Sequence, residues 1–139
     1  MLDPRELYTL MPGAPELDAP VLIHALSGYV DAGEAVRLAH EHLLATLEHQ
    51  VVARFDVDQL HDYRARRPAM IFDADHWESY ADPQLVLNAV TDAEGHRFLV
   101  LTGPEPDVQW ERYIAAVTQL IEHFGVRLTI GLNAIPMAV

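Results

Sequence analysis

Apolar and polar positions alternate along this chain in a way that divides it into short extended runs and two longer helical ones. Pro20-Val21-Leu22-Ile23-His24-Ala25-Leu26 is nearly continuous in apolar side chains, as expected of a strand covered on both faces. The run stops at Ser27-Gly28, and the backbone turns around Asp31 to Gly33 before a helical period begins. Gly28 and Gly33 permit positive φ or close backbone approach, and Asp31 can cap the first helical amides. A strand, a tight loop and a helix start form the junction at which α/β folds place ligands or contacts. The helix is predicted from about Ala32 or Gly33 to Glu48. Val36, His40, Leu43 and Leu47 fall in one narrow sector of it, flanked by Ala39 and Leu44.

Val51 to Val57 is β-branched and aromatic enough for a second strand, and a charged, irregular stretch follows from Asp58 to Pro68. Residues 69–73 predict a short strand. Residues 85–91 and 96–102 flank Asp92-Ala93-Glu94-Gly95 and predict a β-hairpin with Gly95 in its turn. The second helix starts near Asp107 and stops at Gly125. Trp110, Tyr113, Ile114, Val117, Leu120, Ile121 and Phe124 give it one broad apolar face, so Trp110 and Tyr113 are expected to be buried against a sheet. A last strand spans 126–135, ended by Pro136.

Residues 1–19 hold three prolines and little periodicity and read as an N-terminal arm. The element order β-α-β-β-β-β-α-β, with two helical crossovers, predicts a single α/β domain over 1–139 with a mixed sheet and helices packed on it. The apolar ending Leu132 to Val139 suggests the N-terminal portion of a larger domain, incomplete at its C-terminus.

Composition narrows the function classes. All nine basic residues are arginine, and there is no lysine and no cysteine. Schiff-base chemistry, phosphate-loop lysines, thiol nucleophiles, disulfides and thiolate zinc sites are thereby excluded. A net charge of −12 disfavours nucleic acid and anionic membranes as partners. No signal-peptide layout and no long apolar run is present, so the reading is a soluble cytoplasmic protein.

The candidate chemistry is sparse. The 27–33 loop lacks both the dinucleotide glycine fingerprint and a Gly-Lys-Ser/Thr cradle. Ser27 sits in Leu-Ser-Gly rather than in a nucleophile elbow, and it reads as a turn residue. Of the eight histidines, none forms an i, i+4 pair on the first helix, and His40 on the apolar stripe reads as a packed side chain. Asp56-Val57-Asp58 with His61, and Asp73-Ala74-Asp75-His76, resemble oxygen-rich ligand clusters but read more simply as strand-end polar residues and caps. No metal and no cofactor is expected. Arg64, Arg66 and Arg67 could hold a phosphate or carboxylate, or they could pair with Asp56, Asp58 and Asp62. Ser27, Gly28, Asp31, Gly33, Arg64, Arg66 and Arg67 are thus the candidate contact residues, and no catalytic residue is designated.

Four segments in order resemble the proteasome assembly chaperone 2 family, in its actinobacterial branch, to which no function is assigned. They are Gly28-Tyr29-Val30-Asp31-Ala32-Gly33; Phe55 to Leu60 leading into Asp62-Tyr63-Arg64-Ala65-Arg66-Arg67-Pro68; Thr102-Gly103-Pro104-Glu105-Pro106 with Trp110; and Gly131 to Met137. The resemblance implies a three-layer α/β/α sandwich of nucleoside phosphorylase-like type. It also implies non-enzymatic work on proteasome subunits or self-assembly into oligomers, in chains that usually continue past the Ile-Pro-Met turn. The hydrophobic-tyrosine-x tail of the eukaryotic relatives is missing, and the ligase label carried by some bacterial relatives finds no nucleotide-binding loop here. Two readings follow. The first is a non-enzymatic interaction or assembly protein whose partner is a proteasome subunit or a second copy, with a homo-oligomer expected. The alternative is an enzyme or binder of an anionic small molecule such as a nucleotide, using the 27–33 loop and the arginine cluster.

Overall fold

The structure is a computed structural model that describes residues 1–138, so Val139 at the apolar ending lies outside it. Its elements are β1 (Tyr8–Leu10), β2 (Val21–Ser27), α1 (Ala35–Thr46), β3 (Glu48–Phe55), β4 (Met70–Asp73), β5 (His76–Tyr80), β6 (Val86–Thr91), β7 (Arg97–Pro104), α2 (Trp110–Phe124) and β8 (Leu128–Gly131). Six strands form one sheet in the order β1-β3-β6-β7-β2-β8, while β4 and β5 pair only with each other.

The pairings fix strand directions. β2 runs parallel to β7 and β8, and β6 is antiparallel to both β7 and β3. Hence β2, β3, β7 and β8 share one direction, and β1 and β6 oppose it. From β2 the chain crosses by α1 to β3 on one side of the sheet; from β7 it crosses by α2 to β8 on the other. Right-handed crossovers that travel in opposite directions place their helices on opposite faces. The side chains agree. Tyr113, Ala116 and Leu120 of α2 pack with Leu22, Leu87, Leu99 and Leu101 in the main core, whereas α1 packs on β2 from the side of Ser27 and His40. The result is a three-layer α/β/α sandwich over a mixed sheet.

Several expected boundaries move. The N-terminal arm carries a strand: Tyr8–Leu10 pairs antiparallel with β3, and Leu7 is fully buried. Three residues are too short for periodicity to reveal, and the pairing is supplied by a distant strand. α1 starts at Ala35 and ends at Thr46, after a single 3-10 turn at Ala32–Glu34. Asp92, Gly95 and His96 close the β6–β7 hairpin as the turn chemistry predicts, with Gly95 at φ 86°. The last strand is only Leu128–Gly131; beyond it, Leu132 N–H donates to the His24 carbonyl and Ala134 bridges to Asp31.

Trp110 corrects an expectation. It stands 51% exposed while Tyr113, three residues on, is 7% exposed. The broad apolar face of α2 is two stripes: Tyr113, Ala116 and Leu120 point straight down, whereas Trp110, Ile114, Val117 and Ile121 run along one edge and line a groove over β2. Trp110 is the first residue of the helix and lies on that edge stripe.

Candidate functional site

The loop between β2 and α1 is built around carboxylates of the protein itself. Gly28 adopts φ 150°, and a Cβ there would lie 2.4 Å from Cδ of Glu105, so only glycine admits that carboxylate. Tyr29 N–H donates to Glu105 Oε1 at 2.9 Å. Asp31 turns its carboxylate onto the start of α1 and accepts Val36 N–H at 2.7 Å and Arg37 N–H at 3.3 Å. This is the capping role expected of Asp31, exercised across the extra turn that Gly33 (φ 65°) and Glu34 (φ 57°) create. Ala32 N–H donates to the Ala134 carbonyl at 2.8 Å, so the segment after β8 closes the loop from the other side. A loop of this shape at strand ends could hold an anion. Here Glu105 and Asp31 already stand where such an anion would accept hydrogen bonds.

The three arginines separate. Arg66 pairs with Asp107 at 2.9 Å and also donates to the Glu105 carbonyl. The expected acids, Asp56, Asp58 and Asp62, do not pair with these guanidinium groups: Asp56 accepts from Gln59, and Asp58 from the Tyr63 hydroxyl at 2.6 Å, which pushes that phenol up to about 12. Asp62 meets no guanidinium group: its N–H donates to Asp107 and its carboxylate accepts the backbone N–H of Arg64. Burial pushes the Asp107 carboxyl up, but Arg66, the Asp62 amide and nearby His61 outweigh it and hold the group below the usual carboxylate range. Nothing in the linear order of residues points to Asp107 as the partner; it reaches Arg66 because the β7–α2 turn folds beneath the 61–67 segment. Arg64 is exposed and Arg67 is exposed, and neither forms an ion pair among the described residues.

A concavity of about 460 Å³ opens at the C-terminal ends of β2 and β7, bounded by Ser27, His40, Glu41, Arg66, Arg67 and Asp82. It brings Ser27 together with Arg66 and Arg67, and leaves Gly28, Asp31, Gly33 and Arg64 outside its lining. The Ser27 hydroxyl donates to the Gly103 carbonyl at 3.3 Å, so it is not engaged by an imidazole base. Among the described residues no three His, Asp or Glu side chains gather in a way that could hold a metal ion. Asp73, Asp75 and His76 lie at the exposed turn of the β4–β5 hairpin, with Ala74 at φ 51°.

That hairpin is the surface feature that periodicity reveals least. Only its first strand stands out in the pattern, because His76-Trp77-Glu78-Ser79-Tyr80 is interrupted by charge. Every residue of both strands is exposed. Met70, Ile71, Phe72, Trp77 and Tyr80 are each between 50% and 62% exposed, and Phe72 and Trp77 meet edge to face at 5.0 Å.

The fold and this site define an α/β/α sandwich protein with a self-occupied strand-end loop and a projecting apolar hairpin. The PAC2 family profile matches residues 25–139, and the chain belongs to that family. It is similar to a Mycobacterium tuberculosis protein of unknown function, at 51% identity and a TM-score of 0.90, over 96% of this chain and 47% of that one. A Corynebacterium glutamicum protein of unknown function matches at 42% identity and a TM-score of 0.89, over 95% of this chain and 51% of that one. A Mycobacterium tuberculosis proteasome-assembly chaperone homologue shares the fold, at 22% identity and a TM-score of 0.74, over 83% of this chain and 49% of its own. The chain thus spans about half the length of the solved relatives it matches. No curated protein matches it. The family read from the four motifs is correct. No helix among the described residues is long and apolar enough to cross a membrane.

Proposed function

We propose that this chain works through protein–protein contact, as an assembly or chaperone-type member of its family, and that its first partner is a second copy of itself. One observation carries the reading: the β4–β5 hairpin pairs with no strand of the main sheet and leaves five large apolar side chains half or more exposed. Apolar clusters of this kind on a soluble surface mark interaction sites, and aromatic residues are the side chains that dominate interface energetics. The loop that would take an anionic ligand holds Glu105 and Asp31 instead, which weighs against the nucleotide reading at residues 27–33. Kinship in fold with a proteasome-assembly chaperone homologue makes proteasome subunits the first heterologous partners to try.

Size-exclusion chromatography with light scattering tests this reading directly. The chain is expected to run as an oligomer, and Phe72→Asp with Trp77→Asp to run as a 15.6 kDa monomer with unchanged circular dichroism. A dilution-resistant monomer that also ignores proteasome subunits in pull-downs, hairpin intact, would defeat the proposal.

A further inference from the structure

The α1 side of the sheet holds polar groups that the protein-contact reading does not use. Leu87 and Ala89 point into the core beneath α2, so strand alternation turns Asn88 toward α1. Asn88 is 2% exposed and its Nδ2 has no hydrogen-bond partner. Thr102, on the neighbouring strand, is 5% exposed. Ala25 pairs with Thr102 in register, so Ser27, two residues on, opens the same face at its upper end. Above it α1 carries His40, whose buried Nδ1 also lacks a partner.

His61 completes the set. Its side chain is 7% exposed and lines the concavity. Nε2 lies 2.7 Å from the Arg66 carbonyl, which can only accept, so that nitrogen donates to it. Nδ1 is buried without a hydrogen bond, 3.6 Å from Asp107. The three orphaned side-chain atoms among the described residues, on His40, His61 and Asn88, therefore all lie on this side of the sheet or around this concavity. Native proteins rarely leave such groups unsatisfied without a use for them.

The charged rim leaves one cation and one carboxylate, Arg67 and Asp82, without ion pairs among the described residues. Glu41 is held by Arg37 at 2.9 Å, Asp82 accepts from Gln84, and Arg66 is held by Asp107. Arg67 is the one arginine of the rim with no ion pair among the described residues, and it stands ready for an anion. We propose that the concavity at the C-terminal ends of β2 and β7 binds a small molecule bearing a carboxylate or phosphate. Arg67 pairs with the anion, and Ser27 and His40 hydrogen-bond the polar body. Burial lowers the basicity of His40, so its imidazole is neutral near pH 7 and offers both a donor and an acceptor. His61, through its bond to the Arg66 carbonyl, positions the segment that carries Arg67.

The test is an NMR titration of the whole chain with inorganic phosphate and, separately, with acetate, against sodium chloride at equal ionic strength. Saturable shifts of the His40 ring and of the Ser27–Gly28 amides are expected with one of the two anions, and which one identifies the source of the oxyanion. Arg67→Gln, an exposed position that leaves the fold intact, should weaken that binding by about tenfold or more. Arg64→Gln, outside the concavity, should not change it. Shifts no larger than those given by chloride, or equal binding in Arg67→Gln, would overturn the proposal. The hairpin oligomer is independent of either result.

Discussion

The two faces of the sheet differ in how much polar character they bury. Beneath α2, Leu7, Leu22, Leu87, Leu99, Leu101 and Leu120 are all 2% exposed or less and form a dry aliphatic core with Tyr113, whose phenol burial pushes well up. Beneath α1 the same strands mix fully buried Ala25, Val90 and Val100 with Asn88, Thr102 and Ser27, the helix contributes His40, and only Val36 of α1 is buried. One face supplies stability by excluding water from close-packed carbon. The other keeps hydrogen-bonding groups out of water and, on His40 and Asn88, without partners, which costs stability. A sheet of this kind separates the work: the α2 face holds the fold, and the α1 face is free to carry specificity.

The sharpest way to break that contrast lies within one strand. Leu87→Ala, in the core beneath α2, should cost about 2–5 kcal/mol in urea denaturation. A cost near zero would mean that the α2 face does not hold the fold. Asp107→Asn should cost about 1–3 kcal/mol, because it leaves Arg66 and the Asp62 amide with a weaker partner at a half-buried site. No change in the melting midpoint would show that the 61–67 segment is anchored elsewhere. Trp110→Ala is expected to cost about 1 kcal/mol rather than the 3–5 typical of a buried tryptophan, since half of the ring is already in water. A larger loss in calorimetry would place Trp110 in an interface.

Asn88→Leu should sharpen the contrast from the other side. The swap removes an orphaned amide and keeps the branch at Cγ, while the added bulk of the methyl groups offsets part of the gain, so stability is expected to be unchanged or to rise by up to about 1 kcal/mol. A large loss would show that Asn88 is satisfied in solution, by water within the fold. The smallest effect is a pH dependence. His40 has a lowered folded pKa, so the unfolded chain takes up a proton first as pH falls below about 6.5. Stability should therefore decline between that pH and the folded value, and His40→Gln should flatten that part of the curve. Asp107, also lowered, contributes stability above about pH 4 that is lost as pH falls through its folded pKa, so the two groups act in separate windows.

How much of this was legible before folding differs by element. β2, α1, the β6–β7 hairpin and α2 all follow from local periodicity and turn residues, and each lies within a few residues of its predicted span. The capping role of Asp31 was legible too, because a cap acts on its own helix. β1 and β5 were not. β1 has three residues and exists because β3 presents an edge to it, and β5 exists because β4 folds back onto it. The two stripes of α2 were merged in the sequence, since helical spacing shows which residues share a side but not where the sheet beneath them ends.

The amino-acid order by itself determined the family, through motifs that are contiguous, and the fold class, because alternation of periods is a local property. It also determined what chemistry is absent, since side chains that do not occur cannot react. Tertiary structure alone decided the pairings between charges. Arg66 lies close in sequence to three aspartates and pairs with Asp107, forty-one residues away, because Coulomb energy depends on separation in space and the β7–α2 turn brings that carboxylate within 2.9 Å. It alone decided that Glu105 fills the space above Gly28 and that Arg67 is left to face the concavity. Partners of this kind are set by topology, and topology is fixed only when the whole sheet closes.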